Sequence, residues 1–332
     1  MPALRCLQTS TTERLATGLR CAVAWLVLLS LTAAGCVPVR NPPVSASSPP
    51  RRVSYPGFPS LYVPPRTITI WLPTGYDAGN RHYAVLYMHD GQNLFDPGAA
   101  MGGEPWAVDT HLQGLIQAGR VRDTIIVGID NTPSARWREY APFAAFTALT
   151  PELQQLAIGA NSGPPVSEEY LRFIVEELKP FVDRTYRTRA DRANTFIMGS
   201  SMGGLISLYA LTRYPGTFGG AGCLSTHWSY TTNPAVLADA QTPEASRIAG
   251  AYIDWLEQHL PDPATHRIYF DHGTEFLDAL YGPYQSRVDK LMIARGYRAG
   301  IDFESRVFAG ATHNERAWRE RVDIPLVFLL AN

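Results

Sequence analysis

Apolar residues along this chain recur in two rhythms, and the rhythms alternate. RTITIWLP (66–73) alternates apolar with polar positions, as a strand with one covered face does. YAVLYMH (83–89) and DTIIVGI (123–129) are continuous apolar runs of strand length, as expected for strands buried on both faces. Between them, WAVDTHLQGLIQA (106–118) has helical spacing. Residues 131–166 carry Pro, Gly, Ser and Ala with no steady period, which predicts a long irregular excursion of the kind that forms lids or binding loops. SEEYLRFIVEELKPFVDRTY (167–186) predicts a helix with Glu168 and Glu169 in its first turn, where the helix dipole favours them. Next come a strand (NTFIMGS), a helix (MGGLISLYALTRY), a strand (FGGAGCLS), a strand (HRIYFDHG, 266–273), a helix (VDKLMIARGY), a strand (DFESRVF, 302–308) and a helix from about residue 315. This alternation predicts an α/β fold, a mostly parallel central sheet with helices on both faces. In such sheets reactive groups gather at the carboxyl ends of the strands.

The first 65 residues read differently. Arg5, Arg14 and Arg20 precede the apolar run CAVAWLVLLSLTAAG, the layout of an export signal, and the run is short for a membrane span. It ends in AAGC (33–36), which resembles the lipobox of bacterial lipoproteins and implies lipidation at Cys36; Ala33 departs from the usual leucine. Residues 37–65 hold nine prolines among many serines and predict an extended tether. The expected organisation is a lipoprotein-type signal over 1–35, a tether over 36–65 and one catalytic domain over 66–332. The protein is thus expected outside the cytoplasm, touching a membrane only through its lipid.

Composition narrows the chemistry. The chain has 332 residues, is 45% hydrophobic and carries a formal net charge of −1, so nothing in it suggests a nucleic-acid partner. Of four cysteines, Cys6 and Cys21 would leave with the signal, and Cys223 would stay as a buried apolar residue. Neither a disulfide framework nor a metal-ligand spacing is present in the sequence, so no cofactor is expected.

GSSMG (199–203) fits Gly-x-Ser-x-Gly and lies between a predicted strand and a predicted helix. There the chain must turn sharply. Small neighbours give the turn clearance, and the turn exposes the Ser201 hydroxyl beside the first amides of the helix. A serine needs a base to take its proton, and in this topology the order should be Ser, acid, His. His313, in AGATHNERAW after the last predicted strand, stands in the right place; His272 comes one strand early, His259 reads as surface and His227 as pocket wall. The acid should follow the strand 266–271, where Asp271, Glu275 and Asp278 are candidates; spacing does not choose between the last two. YMHDGQNLFD (87–96) should supply a second oxyanion donor, the amide of Gln92 turned by Gly91, to pair with the amide of Met202. His89 and Asp90 are candidate substrate contacts whose plainer role is a hydrogen-bonded pair shaping this loop. Asn131, Arg138, Trp228 and Tyr281 lie in or near loops on the same side and are candidate pocket residues.

The ordered set LYMHDGQNLFD, GIDN with REY at 138–140, GSSMGGLIS, YFDHGTEFLDALY and GATHNERAW resembles the Putative esterase family, the esterase D-like branch of the α/β-hydrolases, over most of residues 66–330. That resemblance implies Ser201 as nucleophile, His313 as base and Gln92 with Met202 as oxyanion donors. It places the acid soon after Gly273-Thr274, at Asp278 with Glu275 as the alternative. It implies hydrolysis of a carboxylic ester such as an acylated sugar, a feruloyl or acetyl ester, or a siderophore-like ester. Acyl transfer by the same residues, and a non-catalytic lipid-anchored binding protein on a hydrolase fold, are the competing readings. The complete Ser, acid, His order argues against the last.

Overall fold

The computed structural model describes residues 48–161, 163–239 and 242–331. The signal segment and Cys36 lie outside the described residues. Eight strands form one sheet: β1 (Arg51–Phe58), β2 (Arg66–Leu72), β3 (Ala84–His89), β4 (Thr124–Ile129), β5 (Thr195–Ser200), β6 (Gly220–Leu224), β7 (Arg267–Gly273) and β8 (Phe303–Phe308). Their order is β1-β2-β4-β3-β5-β6-β7-β8. Only the β1–β2 and β2–β4 pairings are antiparallel; the rest are parallel.

The continuous apolar runs become the central strands, and strand alternation divides their side chains between two layers. In β3, Val85 and Tyr87 enter one layer, Leu86 and Met88 the other. The first layer is closed by the helices Met202–Arg213 and Pro243–His259 and by the helical stretch 167–185. The second is closed by Val108–Gln117 and Asp323–Leu330. Each central position therefore loses packing on substitution; Leu86→Ala would cost about 2–5 kcal/mol.

Three expectations need correction. The tether does not run to residue 65, because β1 pairs with β2 from Arg51 to Phe58. Its Val53, Tyr55 and Phe58 are half-buried, with both aromatic rings against Phe181. Pro56 is tolerated because β1 is an edge strand and the register shifts between Tyr55 and Phe58. The excursion 131–166 contains three short helices, Arg136–Tyr140, Phe143–Thr147 and Pro151–Ile158. The stretch 167–185 is helical but widens to a π-helix over Phe173–Leu178. Pro180 has no N–H to offer the carbonyl one turn back, and the widened turn lies just before it.

The strand order positions the site. From β3 the chain moves to β4 on one side, then returns to β5 on the other side and continues outward. At such a switch point the connections leave in opposite directions and open a crevice at the carboxyl ends of the two strands. The segment Asp90–Asn93 follows β3 and Ser201 follows β5, so both arrive in that crevice.

Candidate active site

Ser201 has φ 58° and ψ −123°, a backbone conformation that costs a residue with a Cβ on the order of 1–3 kcal/mol. The turn holds because the Ser201 amide donates to the Leu224 carbonyl on β6 (2.8 Å) and the helix Met202–Arg213 starts at once. Gly199 is clearance: a Cβ there would lie 2.8 Å from the carbonyl carbon of Gly203. Met202 is the first residue of the helix, so its amide has no carbonyl one turn behind it to bond.

The loop after β3 turns differently from expectation. Asp90, not Gly91, takes the left-handed conformation, with φ 55°. Gly91 is needed for space instead, since a Cβ would sit 2.7 Å from the Ile129 nitrogen on β4. Gln92 lies in the short turn Gly91–Asn93, with its amide in the first turn and its side-chain Oε1 accepting from the Asn131 amide (3.2 Å). Asp90 is buried. Its Oδ1 accepts from Asn131 Nδ2 (2.6 Å) and Arg136 Nε (2.7 Å), and its Oδ2 accepts from Arg136 Nη2 (2.7 Å). Burial pushes this carboxyl up, but the Arg136 charge and these hydrogen bonds outweigh it and hold it below the ordinary carboxylate range.

Across the crevice, Asp278 is fully buried in the short turn Phe276–Leu280. Its Oδ1 meets His313 Nδ1 at 2.6 Å, while Oδ2 accepts from Ser225 Oγ (2.7 Å) and the Gly273 amide (2.6 Å). Burial raises its pKa, yet the His313 hydrogen bond and charge, with those two donors, bring it below the ordinary range. An ionised carboxylate only accepts, so His313 Nδ1 carries a proton, which in the neutral ring puts the lone pair on Nε2. The ring is held edge-on by Trp318 (5.0 Å) and Tyr281 (5.7 Å), and the following residue, Asn314, caps the helix Glu315–Arg319 by accepting from the Ala317 amide (2.9 Å).

Ser201 and His313 line one cavity of about 410 Å³ together with Asp90, Gln92, Asn131 and Arg136. Asn93, Met101, Glu315 and Trp318 line it as well. Of the two candidate acids, Asp278 reaches His313 and Glu275 does not; Glu275 is exposed, and its carboxylate accepts from the Thr274 hydroxyl (3.4 Å). Asp271 stays inside the sheet, paired with buried Arg321 (2.9 Å). His227 cannot serve as a base. Both its nitrogens are engaged, by the Tyr281 hydroxyl and the Thr231 carbonyl (2.8 Å each), and burial takes its pKa down to about 4.

Several pocket expectations fail. His89 points away from the cavity into the aromatic layer, bonded to the Tyr170 hydroxyl (2.9 Å), and burial lowers its pKa to about 3. It does not pair with Asp90. Arg138 turns outward and donates to the Pro164 carbonyl (2.9 Å), while Arg136 takes the place beside Asp90. Two residues apart on a helix is about 200°, so a helix over 136–140 puts the two arginines on opposite faces. Trp228 is wholly buried against Tyr252 and Phe270, with no share in the cavity. Tyr281 is buried with its ring against His313 and its hydroxyl bonded to His227 and to the Ser201 side chain, and it does not line the cavity. Asn93, Arg136, Glu315 and Ser225 were not anticipated; Asn93 and Glu315 stand within the quoted motifs DGQN and HNE, and only the direction of the chain distinguishes them from capping residues.

A crevice at the sheet's switch point, with a strained serine on one strand end and a carboxylate-held imidazole across from it, defines an α/β-hydrolase. The sequence pattern of the family described as Putative esterase matches residues 64–324, and the chain belongs to that family. It is 30% identical to the ferri-bacillibactin esterase BesA of Bacillus subtilis over 154 residues, 44% of this chain and 49% of that one. It is 26% identical to an endo-1,4-beta-xylanase/feruloyl esterase of Xylanibacter ruminicola, over 48% of this chain and 19% of the relative. An uncharacterised Bacillus subtilis protein, YbbA, matches at 23% over 55% of this chain and 66% of its own length. The chain thus spans less than two thirds of the length of each of these relatives. Among solved structures, a ferulic acid esterase superposes with a TM-score of 0.61 at 19% identity, covering 85% of this chain and 98% of that one.

Proposed function

We propose that the protein hydrolyses carboxylic esters, with Ser201 as nucleophile, His313 as general base and acid, and Asp278 as the group that orients and stabilises the imidazole. The Asp278–His313 contact of 2.6 Å, with His313 and the strained Ser201 lining one cavity, carries this reading. His313 Nε2 takes the Ser201 proton as Oγ forms its bond to the ester carbonyl carbon. The carbonyl oxygen becomes an oxyanion, received by the amides of Gln92 and Met202. As the intermediate collapses, the C–O bond to the alcohol breaks and His313 returns the proton to the leaving oxygen. Water then repeats the sequence and frees the acid.

The substrate class we propose is a small ester, such as an acylated sugar, a feruloyl or acetyl ester, or a siderophore-like ester. The feruloyl and ferri-bacillibactin esterases among the relatives support it. The signal-like segment and AAGC (33–36) support an exported, lipid-anchored form. The test compares wild type and Ser201→Ala on p-nitrophenyl acetate and butyrate. We expect turnover in the first and none above background in the second. Equal rates in both would sink the reading.

A further inference from the structure

One polar group in the cavity has no part in this chemistry. Glu315 stands two residues after His313, at the start of the helix Glu315–Arg319, with its residue only 5% exposed. Its Oε1 accepts one hydrogen bond, from Asn93 Nδ2 (3.1 Å). The orientation of Asn93 is fixed from its other end, because its Oδ1 accepts from the Met101 amide (3.0 Å) and so must be the oxygen. The carboxylate also accepts from the Glu315 backbone amide, and the residue lines the cavity that holds Ser201 and His313. A carboxylate has about four acceptor sites, so two donors leave it capacity for a ligand in the cavity. Its burial, with the nearby Asp90 charge, raises its pKa, against the pull of its own backbone amide, His313 and Arg136.

The same cavity presents a donor. Arg136 spends Nε and Nη2 on Asp90, and its Nη1 has no partner among the described residues. Spare acceptor capacity and a spare donor in the same pocket match a hydroxyl group, which donates and accepts at once. An aliphatic group in the same space would strip water from Glu315 and give nothing back, and sites that bond a substrate hydroxyl reject the analogue lacking it for this reason.

We propose that Glu315 is a specificity-determining residue that selects esters carrying a free hydroxyl on the group adjoining the scissile carbonyl. This rests on the ester-hydrolase reading. A hydrogen bond to a charged group contributes about 1.5–3 kcal/mol, so the expected preference in kcat/KM is about 10- to 100-fold.

The test uses two matched pairs: p-nitrophenyl 3-hydroxybutyrate against p-nitrophenyl butyrate for the acyl side, and 2-hydroxyethyl butyrate against ethyl butyrate for the alcohol side. Each ratio is divided by the ratio for hydroxide-catalysed hydrolysis, which removes intrinsic reactivity. We expect wild type to prefer the hydroxylated member of at least one pair by about tenfold or more. Glu315→Ala should bring that ratio close to one, and Glu315→Gln, which can still accept, should leave part of it. Thermal melts show whether the alanine variant folds; if it does not, the wild-type ratio and the glutamine variant decide. A wild-type ratio near one in both pairs, or a preference that survives in a folded Glu315→Ala, overturns the proposal. Turnover of neither member of either pair would instead overturn the ester-hydrolase reading, and this proposal with it.

Discussion

Two buried aspartates flank Ser201, and their difference separates scaffold from machinery. Asp90 follows β3 and Asp278 follows β7; both are buried, both accept several hydrogen bonds, and both are held below the ordinary carboxylate range. Asp90 faces a permanent cation, with Arg136 bonded to both its oxygens. Asp278 faces a ring that can gain and lose a proton, and it gives that ring one oxygen while two other donors hold the second. The first arrangement is a strut under the loop that carries Gln92. The second leaves one degree of freedom, the proton on His313, and fixes everything else.

The sharpest break in this symmetry is Asp278→Asn. Ser225 and Gly273 already claim one oxygen position, so the amide nitrogen of the variant would face His313 Nδ1. That nitrogen would have to accept, which puts the ring proton on Nε2, the atom that should take the Ser201 proton. The expected loss in kcat is on the order of 10³–10⁴, as for the equivalent change in serine proteases, with melting temperature nearly unchanged. Steady-state kinetics and a thermal melt check it together. Asp90→Asn should do the reverse. It leaves Arg136 without its counterion, and since that side chain is 29% exposed the expected cost is about 1–3 kcal/mol in urea unfolding, below the figure for fully buried pairs. Its kcat should fall less, about 10- to 100-fold, through the loosened oxyanion loop. If the two variants lose stability and activity in the same proportion, the distinction between strut and relay fails.

A third carboxyl sharpens the comparison with the smallest effect. Asp130 follows β4, and its pKa is raised to about 6 by burial first and then by the Asp90 charge, against the pull of Arg66. A folded value above the unfolded one, about 4, means ionisation opposes folding above pH 6. The sign is opposite for Asp90 and Asp278, whose lowered values add stability that is present above about pH 4 and lost as pH falls through their folded values. Asp130→Asn should therefore raise the melting temperature at pH 7, and the gain should fade as pH drops from 6 towards 4. A gain that grows on acidification would contradict this.

How much of this could be read from residues alone follows physical lines. The central strands were legible because burial on both faces demands unbroken apolar runs such as YAVLYMH. β1 was not, because an edge strand with one face in water needs only Val53, Tyr55 and Phe58, and its Pro56, flanked by Pro50 and Pro59, looks like part of a linker. Ser201 and His313 announce themselves through Gly-x-Ser-x-Gly and their places after strands. The acid was narrowed to two residues three apart, and the choice depended on which one the turn Phe276–Leu280 buries. Arg136 and Glu315 were missed because the orientation of a short helix, not residue type, turns them into the cavity. Trp228 was misplaced for the converse reason: a loop residue beside the site can still face the core.

The central claim is that Ser201 is a nucleophile activated through His313 and Asp278. It is tested most directly by labelling with a fluorophosphonate, followed by intact mass and peptide mapping in wild type, Asp278→Asn and Ser201→Ala. The account predicts a single adduct on Ser201 in wild type, labelling slowed at least about 100-fold in Asp278→Asn, and none in Ser201→Ala. An adduct on another residue, or equal labelling rates in wild type and Asp278→Asn, would contradict it.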